Sequence, residues 1–180
     1  MMRRTILFIA MSLDGYIADK DGNVDWLAGE SPELDDMQSY QEFIQGIDTV
    51  VMGWNTYHQI ITQLSPDIWI YDSLMSYVMT HQKKEDIHNI HFIQSDLYDF
   101  IQYLKHQDGK DIWICGGANI VKQCLHHQLI DCLYISVIPT LLGSGIRLFP
   151  ENDSEIKLKL IKTKSYNGIT DLVYEFREKV

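Results

Sequence analysis

The chain has 180 residues, of which 46% are apolar and 22% charged, and it carries a formal net charge of -10. That length accommodates one ordinary domain burying roughly 70% of the surface its unfolded form exposes, and the balance of apolar to charged residues argues against disorder or an elongated coil. The negative charge disfavours nucleic-acid phosphates as partners, and no apolar run approaches the roughly 18 residues of a membrane span or forms a signal peptide, so a cytoplasmic protein without a membrane or nucleic-acid partner is expected.

Residues 5–11 (TILFIAM) are an almost unbroken apolar run, which predicts a central parallel strand covered on both faces. The polar, glycine-bearing stretch 12–26 (SLDGYIADKDGNVDW) leaves that strand and reads either as a lid over a site or as a surface loop. From Leu34, the positions Met37, Tyr40 and Ile44 recur at helical spacing, with Gly46 where a C-terminal cap falls. Residues 49–52 (TVVM) predict a second buried strand, followed by a helix with its stripe at Tyr57, Ile60, Ile61 and Leu64.

Short strands are predicted over 76–80 and 90–93. The next helix has Ser95 as its N-cap, Asp96 and Asp99 in its first turn, and Leu97, Ile101 and Leu104 toward the core. Residues 111–115 (DIWIC) form a strand, Gly116 and Gly117 a turn, and Ile120, Val121, Cys124 and Leu125 the buried stripe of another helix; 132–138 returns as strand. Residues 157–164 and 172–177, joined through Tyr166, Asn167 and Gly168, read as a β-hairpin. No repeat or Pro/Gly-rich linker divides the chain, so residues 1–180 are expected to be one α/β domain: a mainly parallel sheet closed by an antiparallel edge.

Metal and nucleophile chemistry find little support. Cys115, Cys124 and Cys132 lie in apolar stretches outside any CxxC pair, and the His88/His91 and His126/His127 pairs lack ligand spacing. Asp14, Asp19, Asp21 and Asp25 do not follow a calcium loop, and no GxSxG elbow is present.

The sharpest feature is the strand-turn-helix junction at Gly116, Gly117, Ala118 and Asn119, where small residues would let backbone amides approach a diphosphate at the helix's positive end; a simple tight turn is the alternative. A second junction, VMGWNTY (51–57), carries Gly53, Asn55 and Thr56, which would cap the helix or donate to a phosphate. Two such junctions on neighbouring strands would set two helix N-termini at one sheet edge, where open α/β sheets bind ligands.

Taken in order, IAMSLDGYIA (9–18), VVMGWNTY (50–57), IWICGGANI (112–120) and LYISVIPTLLGSGIRLFP (133–150) resemble the dihydrofolate reductase fold. They resemble more closely the family that contains the C-terminal reductase domain of bacterial riboflavin-biosynthesis deaminase-reductases. The resemblance implies a three-layer α/β/α sandwich, NADPH as cofactor, a small-molecule heterocyclic substrate and a homodimer. The nearest precedent is 5-amino-6-(5-phosphoribosylamino)uracil reductase; an atypical dihydrofolate reductase and a noncatalytic nucleotide-binding protein on the same fold are the alternatives.

By the same resemblance, Ala10 and Ile17 border the nicotinamide, and the loop at Asp14 and Gly15 closes over it. Gly53, Trp54, Asn55 and Thr56 run along the phosphates, while Cys115, Gly116, Gly117, Ala118, Asn119 and Ile120 hold the cofactor from the other side. Thr80, His81, Lys83 and Lys84 follow the strand that meets the adenosine ribose phosphate. Ser12, Asp14, Trp26, Ser39, Tyr40, Phe43, Ser136 and the turn 142–145 face the substrate. Trp54 stands where many members have Arg and forms no charged hydrogen bond to phosphate, a loss Lys83 and Lys84 would offset. Aligning Phe43 with the family's helical aromatic puts Ser39 at the position of the pterin-binding carboxylate. Asp36, with Asp35 beside it, is then the candidate proton source, its other reading being a favourable charge in a helix's first turn.

Overall fold

A strand covered on both faces needs apolar residues at every position, and β1 (Thr5–Ser12) lies mid-sheet, parallel to β6 (Asp111–Gly116) on one side and β7 (Cys132–Ile138) on the other. The computed structural model describes residues 2–149 and 155–177. Beyond β6 lie β3 (Ile47–Gly53), β4 (Met75–Met79) and β5 (Ile90–Ile93), all parallel. Beyond β7 the hairpin of β9 (Leu158–Tyr166) and β10 (Ile169–Phe176) adds two antiparallel strands, giving the order β5-β4-β3-β6-β1-β7-β10-β9. The hairpin turns through Asn167 and Gly168, both at positive φ (45° and 73°), as a two-residue loop requires.

Helices cover both faces, which makes the three-layer sandwich. On one face α3 (Leu97–Lys105) and α4 (Ala118–His126) pack Ile101, Leu104, Ile120, Val121 and Cys124 onto Leu7, Val51, Ile112, Ile114 and Ile135. On the other, α1 (Gln38–Ile44) and α2 (Trp54–Gln59), continued by a π-helical turn at Ile60–Leu64, pack against Val50, Met52, Val78 and Trp113.

Four details depart from the sequence expectations. α1 begins at Gln38 rather than near Leu34, because the Asp35 and Asp36 carboxylates accept the Met37 and Gly29 amides and hold a loop in place of a first turn. Gly46 is not a left-handed cap; Gln45 ends the helix in the right-handed region. Asp96, not Ser95, caps α3, accepting the Tyr98 and Asp99 amides. The stretch 12–26 contains β2 (Tyr16–Ala18), which pairs antiparallel with β8 (Ile146–Arg147). Pro150, the end of the fourth motif, lies outside the described residues.

Among the described residues no helix is long and apolar enough to cross a membrane.

A candidate cofactor cleft at the strand ends

β3 and β6 are neighbours whose following helices go to opposite faces, α2 to one and α4 to the other. The sheet is open at such a switch point, and a cleft of about 1010 Å³ occupies it. The C-terminal ends of the parallel strands form its floor: Ile9 and Ala10 of β1, Gly53 of β3, Met79 of β4 with Thr80 after it, Ile93 of β5, and Cys115 of β6.

Two glycines set how tightly the cleft closes. A Cβ on Gly53 would lie 3.1 Å from Ile120 Cγ1, and one on Gly117 would lie 3.3 Å from Thr56 Oγ1, so the first turns of α2 and α4 approach each other only because both positions lack side chains. Gly116, at φ +123°, bends the chain between strand and helix, a conformation that penalises any other residue. No side chain caps α4, so its first amides point outward at the positive end of a nine-residue helix.

Trp54, Asn55 and Thr56 line the cleft on the α2 side, and Gly117, Ala118, Asn119 and Ile120 on the α4 side. Ile17 enters from β2, while Thr80 and His81 close the far end. Gly116 sits directly between two lining residues without itself lining the cleft, and Lys83 is exposed beyond it. Lys84 holds its Nζ 4.4 Å from the centre of the Trp54 ring, a cation–π contact at the cleft's rim.

The residues expected to face the substrate form other groups. Ser12 donates to the Asp14 carboxylate (2.6 Å), which also accepts the Leu142 and Gly143 amides at 3.1 and 2.7 Å. These hydrogen bonds, led by that from Ser12, lower the Asp14 pKa from 3.8 to about 2 and clamp the β1–β2 turn to the loop before β8. Trp26 is half-buried and donates to the Asn23 carbonyl. Ser39, Tyr40, Phe43 and Ser136 gather under α1, where Phe8 stacks on Phe43 at 4.3 Å and meets Tyr134 at 4.7 Å. Asp36 does not reach the cleft: its carboxylate accepts the Gly29 amide (2.9 Å) and the Asn167 side-chain amide (2.7 Å), tying the loop before α1 to the β9–β10 turn.

Sequence patterning passed over Tyr71 and Asp171. Tyr71 comes from a segment without periodicity, packs edge-on against Trp113 and reaches Cys115 Sγ at 3.8 Å in the cleft wall. Burial holds its hydroxyl well above the ordinary pKa and raises the Cys115 thiol to about 11, so neither ionises near neutrality. Asp171 sits at an alternating polar position of β10 that reads as solvent-facing, yet it is fully buried. Among the described residues no group of His, Cys, Asp and Glu is arranged to hold a metal ion.

Comparison with known proteins agrees with this geometry. Residues 3–174 match the sequence profile of the RibD C-terminal domain family. The uncharacterized YwjB protein of Bacillus subtilis (strain 168) is 40% identical over 176 residues, covering 97% of this chain and 98% of its own. A crystal structure of a protein from Shewanella sp. PV-4, provisionally assigned to riboflavin biosynthesis, superposes with a TM-score of 0.84 at 31% identity, over 97% of this chain and 99% of that one. Dihydrofolate reductase from Enterococcus faecalis, solved with NADP(H), shares the fold at a TM-score of 0.67 and 18% identity, with 97% of each chain covered.

Proposed function

Since the chain belongs to the RibD C-terminal domain family, we propose that it is a reductase that holds NADPH in the cleft between β3 and β6 and reduces a small heterocycle, as the aminouracil reductase of riboflavin biosynthesis does. The observation that carries this reading is the interlock of Gly53 with Ile120 and of Gly117 with Thr56. It leaves two helix starts with bare backbone facing one cleft, the form a dinucleotide's diphosphate requires.

The residues present suit that cofactor. The α4 amides from Ala118 onward and the side chains of Asn55 and Thr56 are donors for the diphosphate. Ile9, Ala10, Ile17 and Cys115 offer an apolar wall for the nicotinamide, and Thr80 and His81 are polar groups for the adenosine end. Lys84, fixed over Trp54, supplies the positive charge for a ribose phosphate that Trp54 itself lacks. When bound, reduced nicotinamide supplies the hydride. The chain's own part is to align the two rings and, through the β2–β8 lid pinned by Asp14, to keep water out. A homodimer in the cytoplasm belongs to the same reading.

The test is turnover. Purified protein is mixed with NADPH and a panel of aminopyrimidines, pterins and quinones, and cofactor oxidation is followed. Oxidation above background with an aminopyrimidine supports the reading; saturable cofactor binding with no oxidation across the panel favours the noncatalytic alternative.

A further inference from the structure

The lining of the cleft is poor in positive charge. It includes the carboxylates of Asp21 and Asp96 but, among the described residues, neither lysine nor arginine. Lys84 and Arg147 are held over aromatic rings, 4.4 Å from the centre of Trp54 and 4.9 Å from that of Tyr16. The amides at the start of α4 can meet one anionic group, and the lining histidines, His58 against the Trp54 ring and His81 after Thr80, stand on the side the cofactor reading already takes.

Away from that side the cleft extends into a lobe between loop 21–27 and the far end of α2. Gln59 donates its side-chain amide to the Gly22 carbonyl (2.7 Å), which ties these two walls together. Val24 and Leu27 line the lobe from the loop, Ile60 and Leu64 from the π-helical turn, and Ile70 and Tyr71 from the segment before β4. Ile60 is buried, but Leu27, Leu64 and Ile70 are 43%, 49% and 47% exposed, so three large apolar side chains meet solvent around one hollow. Such residues mean little when scattered singly; gathered on a cavity they mark a surface that a ligand covers.

The electrostatics of the lobe turn an anion away. Asp21 is the charged residue on its wall, and α2 with its π-helical turn ends there at Leu64, the negative pole of the helix dipole. A phosphate or carboxylate in the lobe would lose water among aliphatic side chains, beside a carboxylate and with no cation in the lining. Gln59 and Gln63 add neutral amides, which orient a ligand without neutralising a charge.

We propose that this lobe binds an uncharged, apolar arm of the substrate, so that the ring reduced beside Ala10 and Ile17 belongs to a neutral molecule and not to a sugar phosphate. The placing of that ring rests on the reductase reading; the selection of the arm by the lobe does not. Tyr71 joins the two parts, since it lines the lobe and its hydroxyl reaches Cys115 Sγ of the nicotinamide wall at 3.8 Å.

The experiment titrates the protein by calorimetry, with and without NADPH, against three uracils that differ only at C5. Thymine has the ring alone, 5-phenyluracil adds an apolar arm, and 5-(4-carboxyphenyl)uracil ends the same arm in an anion. Wild type is expected to bind 5-phenyluracil at least tenfold more tightly than either of the others. Leu64→Arg, a change at a half-exposed position, is expected to reverse the order and to bind the carboxylate at least tenfold more tightly than wild type does. Thermal unfolding checks its fold, and Leu27→Lys repeats the arm from the loop side should Leu64→Arg not fold. No gain from the phenyl arm over thymine, equal binding of the phenyl and carboxyphenyl compounds by wild type, or the wild-type order in a folded variant overturns the proposal. A preference for the phenyl arm in protein that binds no NADPH upholds the lobe and defeats only the reductase reading.

Discussion

Gly117 and Thr56 stand so close that a Cβ on the glycine would lie 3.3 Å from the threonine Oγ1, and this contact joins the two helix starts that frame the cleft. Gly117→Val would push Thr56 away and fill the space in front of the α4 amides. NADPH affinity is expected to fall at least tenfold, since several charge-assisted hydrogen bonds of about 1.5–3 kcal/mol each depend on that approach. A fluorescence titration checks it, with circular dichroism to show that the fold persists.

Asp14 ties the β1–β2 turn to the loop before β8 in a pH-dependent way. Its folded pKa of about 2 lies below the ordinary 3.8, so its clamp on the Leu142 and Gly143 amides is complete above about pH 4 and is lost as pH falls through about 2. The protection of those two amides, their exchange relative to the intrinsic rate at each pH, should fall across that window, and in Asp14→Ala it should be low at every pH, with no such step.

On the proposed reading, Lys84 is the residue that separates NADPH from NADH. Lys84→Ala removes the charge held 4.4 Å from the Trp54 ring centre and is expected to weaken NADPH binding about tenfold while leaving NADH binding nearly unchanged. Equal losses for both cofactors would show that Lys84 does not meet the ribose phosphate.

Asp36 gives a test between two roles. Its carboxylate binds Gly29 and Asn167, so Asp36→Asn is expected to lower stability by about 1–2 kcal/mol in denaturant unfolding without shifting the pH profile of cofactor oxidation. A changed pH profile at full stability would instead identify Asp36 as the proton source.

What the sequence discloses follows how each element is buried. The central strands show in TILFIAM, TVVM and DIWIC because burial on both faces leaves unbroken apolar runs, and the hairpin shows through Asn167 and Gly168. The start of α1 is misread because Leu34 and Met37 continue the helical spacing although both are exposed, while the neighbouring aspartates bind backbone amides in a loop. β8 is two exposed residues and has no pattern to find.

The glycine junctions of the cleft were legible because backbone approach requires glycine itself. The burial of Asp171 was not. The hydroxyls of Tyr134, Ser136 and Tyr166 that donate to its carboxylate come from β7 and β9, and a polar residue in an alternating strand looks like one facing water.

The central claim is that the cleft between β3 and β6 binds a reduced nicotinamide dinucleotide. The most direct measurement titrates wild-type protein with NADPH and, separately, NADH while tryptophan is excited, because Trp54 lines the cleft. Saturable quenching with energy transfer to the nicotinamide, tighter for NADPH and lost in Gly117→Val, is the predicted result; neither quenching nor transfer with either cofactor would contradict the account.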